Sequence, residues 1–166
     1  MAIRPLLALW AVTLVWFVAM VGFVEWRLAP EGAIPLPDTM ILGYDAEWLA
    51  AWINAMTEAG RARVLGPYRL MDTVFPALLA TALIATGGRR HWWLGAMALA
   101  YLALDLAENA AIAEIVRAAP MPPEPALPGS AQADRAAMLT LGKWALVAPS
   151  LLVAAWLMRA RLKRRA

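Results

Sequence analysis

Residues 5–24 read PLLALWAVTLVWFVAMVGFV, twenty consecutive residues without a charge. At 1.5 Å per residue a helix of that length reaches about 30 Å, the thickness of a bilayer's hydrocarbon core. Arg4 ahead of the run raises the alternative of a signal peptide. The run is too long for a signal core, and Trp10, Trp16 and Phe17 give it bulk. Its exit, Phe23-Val24-Glu25-Trp26-Arg27, has no small-x-small cleavage pattern. It reads as a retained first span, about 5–25.

The rest of the chain follows the same pattern. Of 166 residues, 63% are apolar and 16% charged, whereas a soluble domain carries roughly a quarter charged residues. Three further spans are expected at about 70–87, 92–116 and 136–158. They are bounded by Gly87-Gly88-Arg89-Arg90, by Arg117, and by the tail Arg159, Arg161, Lys163, Arg164 and Arg165. A Pro-rich loop at 119–130 separates the last two. In the long first loop, Asp45 is a suitable N-cap and Gly60 a suitable stop. Trp48, Leu49, Trp52, Ile53 and Met56 fall between them at helical spacing, which predicts an amphipathic helix at about 45–59. Such a helix lies flat at the interface or packs as a lid across the bundle mouth. The expected fold is all-α: one membrane domain over residues 1–166, with four transmembrane helices in a bundle and a short interfacial helix in the first outer loop.

Lys and Arg in short loops mark the cytoplasmic side. With both termini inside, that side holds Arg4, Arg89, Arg90 and the five tail cations. The other side holds Arg27, Arg61, Arg63, Arg69, Arg117 and Arg135. The net charge of +3 is concentrated in the tail, beside a membrane. Lipid headgroups rather than nucleic acid are therefore the expected partners. With no Cys and a single His, neither a cofactor nor a metal is expected. His91, between Arg90 and Trp92, reads as a headgroup-level residue. Trp10, Trp26, Trp92, Trp93 and Trp156 sit near span ends, as in an aromatic belt. Gly95, Ala96, Ala98, Ala100 and Ala103 suit close helix approach.

Ionisable residues inside spans cost about 2.5–3.5 kcal/mol each on insertion scales and turn towards partners in the bundle. Asp72, Asp105, Glu108 and Lys143 are the ones here, on three different spans. Counted along the helices, Asp105 and Glu108 lie about 20 and 24 Å from Trp92, and Lys143 about 10 Å from Ala136. Asp72 lies about 4 Å below Arg69. All four fall in the outer half of the bilayer. Tyr101, Asp105, Glu108 and Asn109 share one face of the third span. Pro76 and Pro149 free the carbonyls of Asp72 and Ala145 in the same region. Arg69 is a candidate counter-ion for Asp72, and Trp144, beside Lys143, a candidate pocket wall.

Three readings of this cluster stand open. It can be structural, with Lys143 bridging Asp72 to Asp105 or Glu108. It can line an outer-leaflet cavity for a lipid-like ligand or a partner helix. It can also supply Asp105 or Glu108 as the titrating group of a membrane enzyme or proton-coupled carrier. No nucleophile–base pair is visible.

Three blocks carry a resemblance. They are Gly60-Arg61, Tyr68 and Asp72-Thr73-Val74-Phe75-Pro76; then Asp105-Leu106-Ala107-Glu108-Asn109; then Lys143-Trp144. Together they resemble a group of small four-helix bacterial membrane proteins without assigned chemistry. The resemblance spans about Tyr44 to Ser150 and implies that the charged cluster is the shared feature. It also implies residence in the bacterial inner (cytoplasmic) membrane. The layout is similar to that of the emopamil-binding and sigma-2 receptor group, whose members bind sterols or cationic amphiphiles in a membrane cavity. That group's His within a span has no counterpart here. The expected partners are membrane lipids and a hydrophobic or amphipathic small molecule or another membrane subunit.

Overall fold

A computed structural model describes residues 3–120 and 129–163. Most of the expected Pro-rich loop, with Glu124, and the tail residues Arg164 and Arg165 lie outside the described residues. Four helices are long and apolar enough to cross a membrane, and no strand occurs among the described residues. The chain is a multi-pass, all-α membrane protein.

The first span, α1 (Ile3–Phe23), runs on through a π turn (Val24–Leu28) and a 3-10 turn (Ala29–Glu31). Only Leu6, Thr13 and Met20 are buried along it, a stripe at seven-residue spacing that marks contact with one neighbour. That neighbour is α4 (Arg69–Gly87). Two indole N–H groups fasten α1 to it, Trp10 to the Thr86 hydroxyl at 3.0 Å and Trp16 to the Met71 carbonyl at 2.9 Å. Trp10 thus also takes part in helix packing. Trp26, Trp92 and Trp156 are exposed, at 81%, 72% and 64%.

The segment between α1 and α4 departs from expectation. Its first helix, α2 (Ala46–Ala55), is capped by Asp45, whose carboxylate accepts from the Trp48 N–H at 2.8 Å. The helix stops at Met56, before Gly60. Thr57 then caps α3 (Glu58–Arg63), its hydroxyl accepting from the Gly60 N–H at 3.0 Å. Gly60 is therefore a helical residue and no stop. The glycine is needed because α3 rides on the end of α1, where a Cβ would come within 2.9 Å of the Glu31 carbonyl oxygen. From α3 the chain passes through a π turn (Val64–Tyr68) directly into α4, so the second span begins at Glu58 rather than near residue 70. Pro67 lacks the N–H that an α-helix would need there, and the widened turn accommodates it.

The two remaining spans are α5 (Trp92–Ala118) and α6 (Ser130–Lys163). At 34 residues, α6 is about 51 Å long and runs past both expected limits, through Arg159 and Arg161. Its long basic side chains do not break a helix; they carry it out of the hydrocarbon. α5 packs between α4 and α6. Gly142 of α6 comes so close to Leu104 that a Cβ would stand 3.2 Å from it. Of the small residues on α5, Ala98 is buried and Gly95 lies against Ile84, whereas Ala96, Ala100 and Ala103 face outward.

The buried face of α2 (Leu49, Trp52, Ile53) joins Val64, Tyr68, Ile112, Ile115 and Ala133 in a core that closes one end of the bundle. The amphipathic helix spends its apolar face on the protein, so it acts as a lid. Arg61, 5% exposed, locks it, donating to the Ile53 carbonyl at 3.3 Å and to the Pro120 carbonyl at 2.7 Å. That end is called the lid end below. The other, with the start of α1, the Gly87–His91 turn and the end of α6, is the tail end.

Candidate functional site

Just below the lid, α5 places Tyr101, Asp105 and Glu108 on its buried face, at 4%, 3% and 0% exposure. α6 answers with Thr140 and Lys143, three residues apart and both buried. The Lys143 ammonium lies 3.3 Å from Asp105 Oδ1 and also pairs with Glu108 Oε2. The Thr140 hydroxyl donates to the other Glu108 oxygen, and Asn109 Nδ2 donates to Asp105 Oδ2 at 3.3 Å. Buried charges persist only when paired and hydrogen-bonded in this way.

Asp72 behaves differently. It is 3% exposed on α4, and no cation among the described residues lies within ion-pairing distance. Lys143 bridges α5 to α6 only, so the expected three-helix bridge through Asp72 does not form. Arg69 does not neutralise Asp72 either. It lines a separate cleft with Trp52, Asn109 and Ile112, while Asp72 faces both that cleft and a larger cavity.

A fourth carboxylate completes the cluster from the first loop. Asp38 sits in a 3-10 turn (Pro37–Thr39) held at the cavity by two donors. Tyr68 Oη donates to Asp38 Oδ2 at 3.1 Å, and Trp144 Nε1 donates to the Asp38 carbonyl at 3.0 Å. Its other oxygen, Oδ1, is buried without a donor among the described residues. The site thus sets four carboxylates, Asp38, Asp72, Asp105 and Glu108, against one ammonium. Sequence reading missed Asp38, because a loop residue carries no periodicity to aim it. The one signal was the run Leu36-Pro37-Asp38, apolar and stiff for an exposed loop.

Three of those carboxylates and Lys143 face a half-open cavity of about 600 Å³ between α1, α4 and α6. Its polar floor is Asp38, Tyr68, Asp72, Tyr101, Asp105 and Lys143; Glu108 lies behind Lys143. Its walls are apolar, with Phe17 tilted against Phe75 at 5.3 Å between ring centroids. Trp144 lines it, as its place beside Lys143 suggested. At the rim Leu14 and Ile41 are more than half exposed. α1 leans on α4, while α1 and α6, which both line the cavity, make little or no contact, which leaves a gap between them on that side.

Nearby, outside the spans, the Tyr44 ring packs 5.2 Å from Trp48, and burial pushes its phenol up to about 12. His91 is at the far end of α5, about 21 Å along the helix from Asp105, and takes no part in this site. Among the described residues no group of three or more His, Asp or Glu side chains is arranged to hold a metal ion. An apolar chamber with a carboxylate-rich floor is suited to an amphiphile whose polar end donates hydrogen bonds or carries positive charge.

No family model, curated protein or solved structure matches the chain.

Proposed function

We propose that the protein is an integral membrane binding protein whose acid–Lys cluster organises a cavity for a lipid-like ligand. One observation carries the reading. A chamber of about 600 Å³ with apolar walls ends on Asp38 and Asp72, neither of them within ion-pairing distance of a cation among the described residues, and borders the gap between two spans. The polar end of the ligand meets these acids, and its hydrocarbon lies along Leu14, Phe17, Val21 and Leu151. That gap favours a molecule already dissolved in the bilayer over one arriving from water. Positive charge in the tail and in the Arg89-Arg90 turn supports both termini on the cytoplasmic side of a bacterial inner membrane. In that orientation the cavity serves the outer leaflet.

Native mass spectrometry of the protein extracted in mild detergent tests this. The expected result is a retained small amphiphile, displaced in Leu14→Trp, which narrows the mouth at a residue 62% exposed. A protein that carries no adduct after reconstitution with a total membrane lipid extract overturns the reading. A second polypeptide retained in its place, and lost in Leu14→Trp, transfers the cavity to a partner helix.

A further inference from the structure

Acidic residues are absent from the tail-end half of the bundle. The sequence has none in residues 1–24, 73–104 or 135–166. Arg4, Arg89, Arg90, Arg159, Arg161 and Lys163 all lie in that half, where the sequence has no Asp or Glu. Exposed cations there are satisfied by water and headgroups. Arg161 is not simply exposed. Its Nη2 donates to the Thr86 carbonyl at 2.6 Å, capping the C-terminal end of α4. Its Nη1 is enclosed and has no acceptor among the described residues. An enclosed guanidinium N–H without an acceptor is costly, and an anion in the adjoining space would satisfy it.

The space for that anion is present. A second cavity of about 220 Å³ is lined by Arg161, Arg90, His91, Gly87, Trp156 and Leu157. It lies at the start of α5, a helix of 27 residues whose free N–H groups add positive potential. Trp156, which lines it, and Trp92, next in the chain to His91, are strongly exposed, and exposed Trp at span ends favours headgroup depth. Planar guanidinium forks match phosphate oxygens better than point charges do.

We propose that this cavity is a binding site for a phosphate group, held by Arg161 and Arg90 against the start of α5. Phosphate of this kind comes from a phospholipid headgroup or from the free ion. Trp156 and Leu157 on the cavity wall give the lipid a place for its first carbons. The site is separate from the carboxylate chamber and opposite to it in charge.

The test titrates full-length protein, purified in phosphate-free neutral detergent, with short-chain phosphatidylglycerol and separately with inorganic phosphate. Native mass spectrometry counts the adducts. One saturable molecule per chain is expected, with affinity at least tenfold weaker in Arg161→Gln and in Arg90→Gln. Lys163→Gln, two residues away and outside the cavity, is expected to bind like the parent protein. Arg90→Gln keeps the Arg161–Thr86 bond, so it tests the site even if Arg161→Gln fails to fold. Saturable binding of phosphatidylglycerol alone assigns the site to a lipid headgroup. Equal binding of inorganic phosphate, with competition between the two, assigns it to the free ion. Binding unchanged in Arg90→Gln, or weakened as much by Lys163→Gln, reduces the effect to diffuse attraction and overturns the proposal.

Discussion

The indole N–H of Trp144 on α6 donates to the backbone carbonyl of Asp38, 106 residues earlier in the chain, at 3.0 Å. With the Tyr68 hydroxyl on the Asp38 carboxylate, it holds a polar loop turn against a chamber between membrane spans. Replacing Trp144 with Phe keeps an aromatic ring but removes the donor and part of the packed ring volume. The expected cost is at least about 1 kcal/mol, the usual worth of one such bond. Faster amide exchange is expected across Leu36–Ile41 and unchanged exchange within α5. Uniform loosening of the whole bundle contradicts this assignment.

Lys143→Met leaves Asp105 and Glu108 buried without their ammonium. Breaking a buried pair from one side costs about 3–5 kcal/mol, because the remaining charge has no partner. Adding Glu108→Gln is expected to restore part of that loss, since Thr140 can still donate to the amide oxygen. Urea unfolding of the single and double variants in detergent gives the comparison. A double variant less stable than Lys143→Met refutes the pairing.

Gly32 ends the α1 extension at φ 73°, and a Cβ there would stand 2.1 Å from the Ala55 carbonyl oxygen. Gly32→Ala therefore carries a left-handed backbone cost of about 1–2 kcal/mol together with a clash between two backbones. The lid is expected to lift, with α2 amides exchanging faster and the thermal midpoint falling. A variant with unchanged exchange in α2 contradicts this close approach.

Tyr44 gives the pH dependence. Burial pushes its phenol up to about 12, so the folded protein keeps this proton at pH values where an unfolded chain has lost it. The contribution is complete below about pH 10 and disappears as pH rises through the folded value. Stability is expected to fall over that window in the parent protein and to fall less in Tyr44→Phe. Tyrosinate absorbance of the two proteins identifies the group; identical titrations would remove Tyr44 from the account.

The chemistry of the spans was readable because a membrane imposes it locally. Uncharged runs fix where helices cross, and a spacing of three and four residues fixes that Asp105, Glu108 and Asn109 share a face. Depth counting brought Lys143 level with them without any knowledge of packing. What failed depended on the path of the chain between helices. Gly60 and the Gly66-Pro67 pair look like helix breakers. Here one makes room for Glu31, and the other is absorbed by a π turn, and neither outcome is encoded in its neighbours. Asp38 lies in a loop, and only Tyr68 and Trp144, distant in sequence, bring it to the chamber. Asp72 sat at the right depth, but depth does not say which partner a side chain turns to.

The narrow stripe of Leu6, Thr13 and Met20 has a mechanical meaning. A helix seated along one line on one neighbour can roll about that line while its two indole hinges hold. In a bilayer, acyl chains would close the gap facing α6 and supply a wall the polypeptide lacks. Chamber volume becomes a joint property of protein and solvent, responsive to lipid chain length and lateral pressure. Occupancy measured in micelles and in thick or thin bilayers should differ for this reason alone.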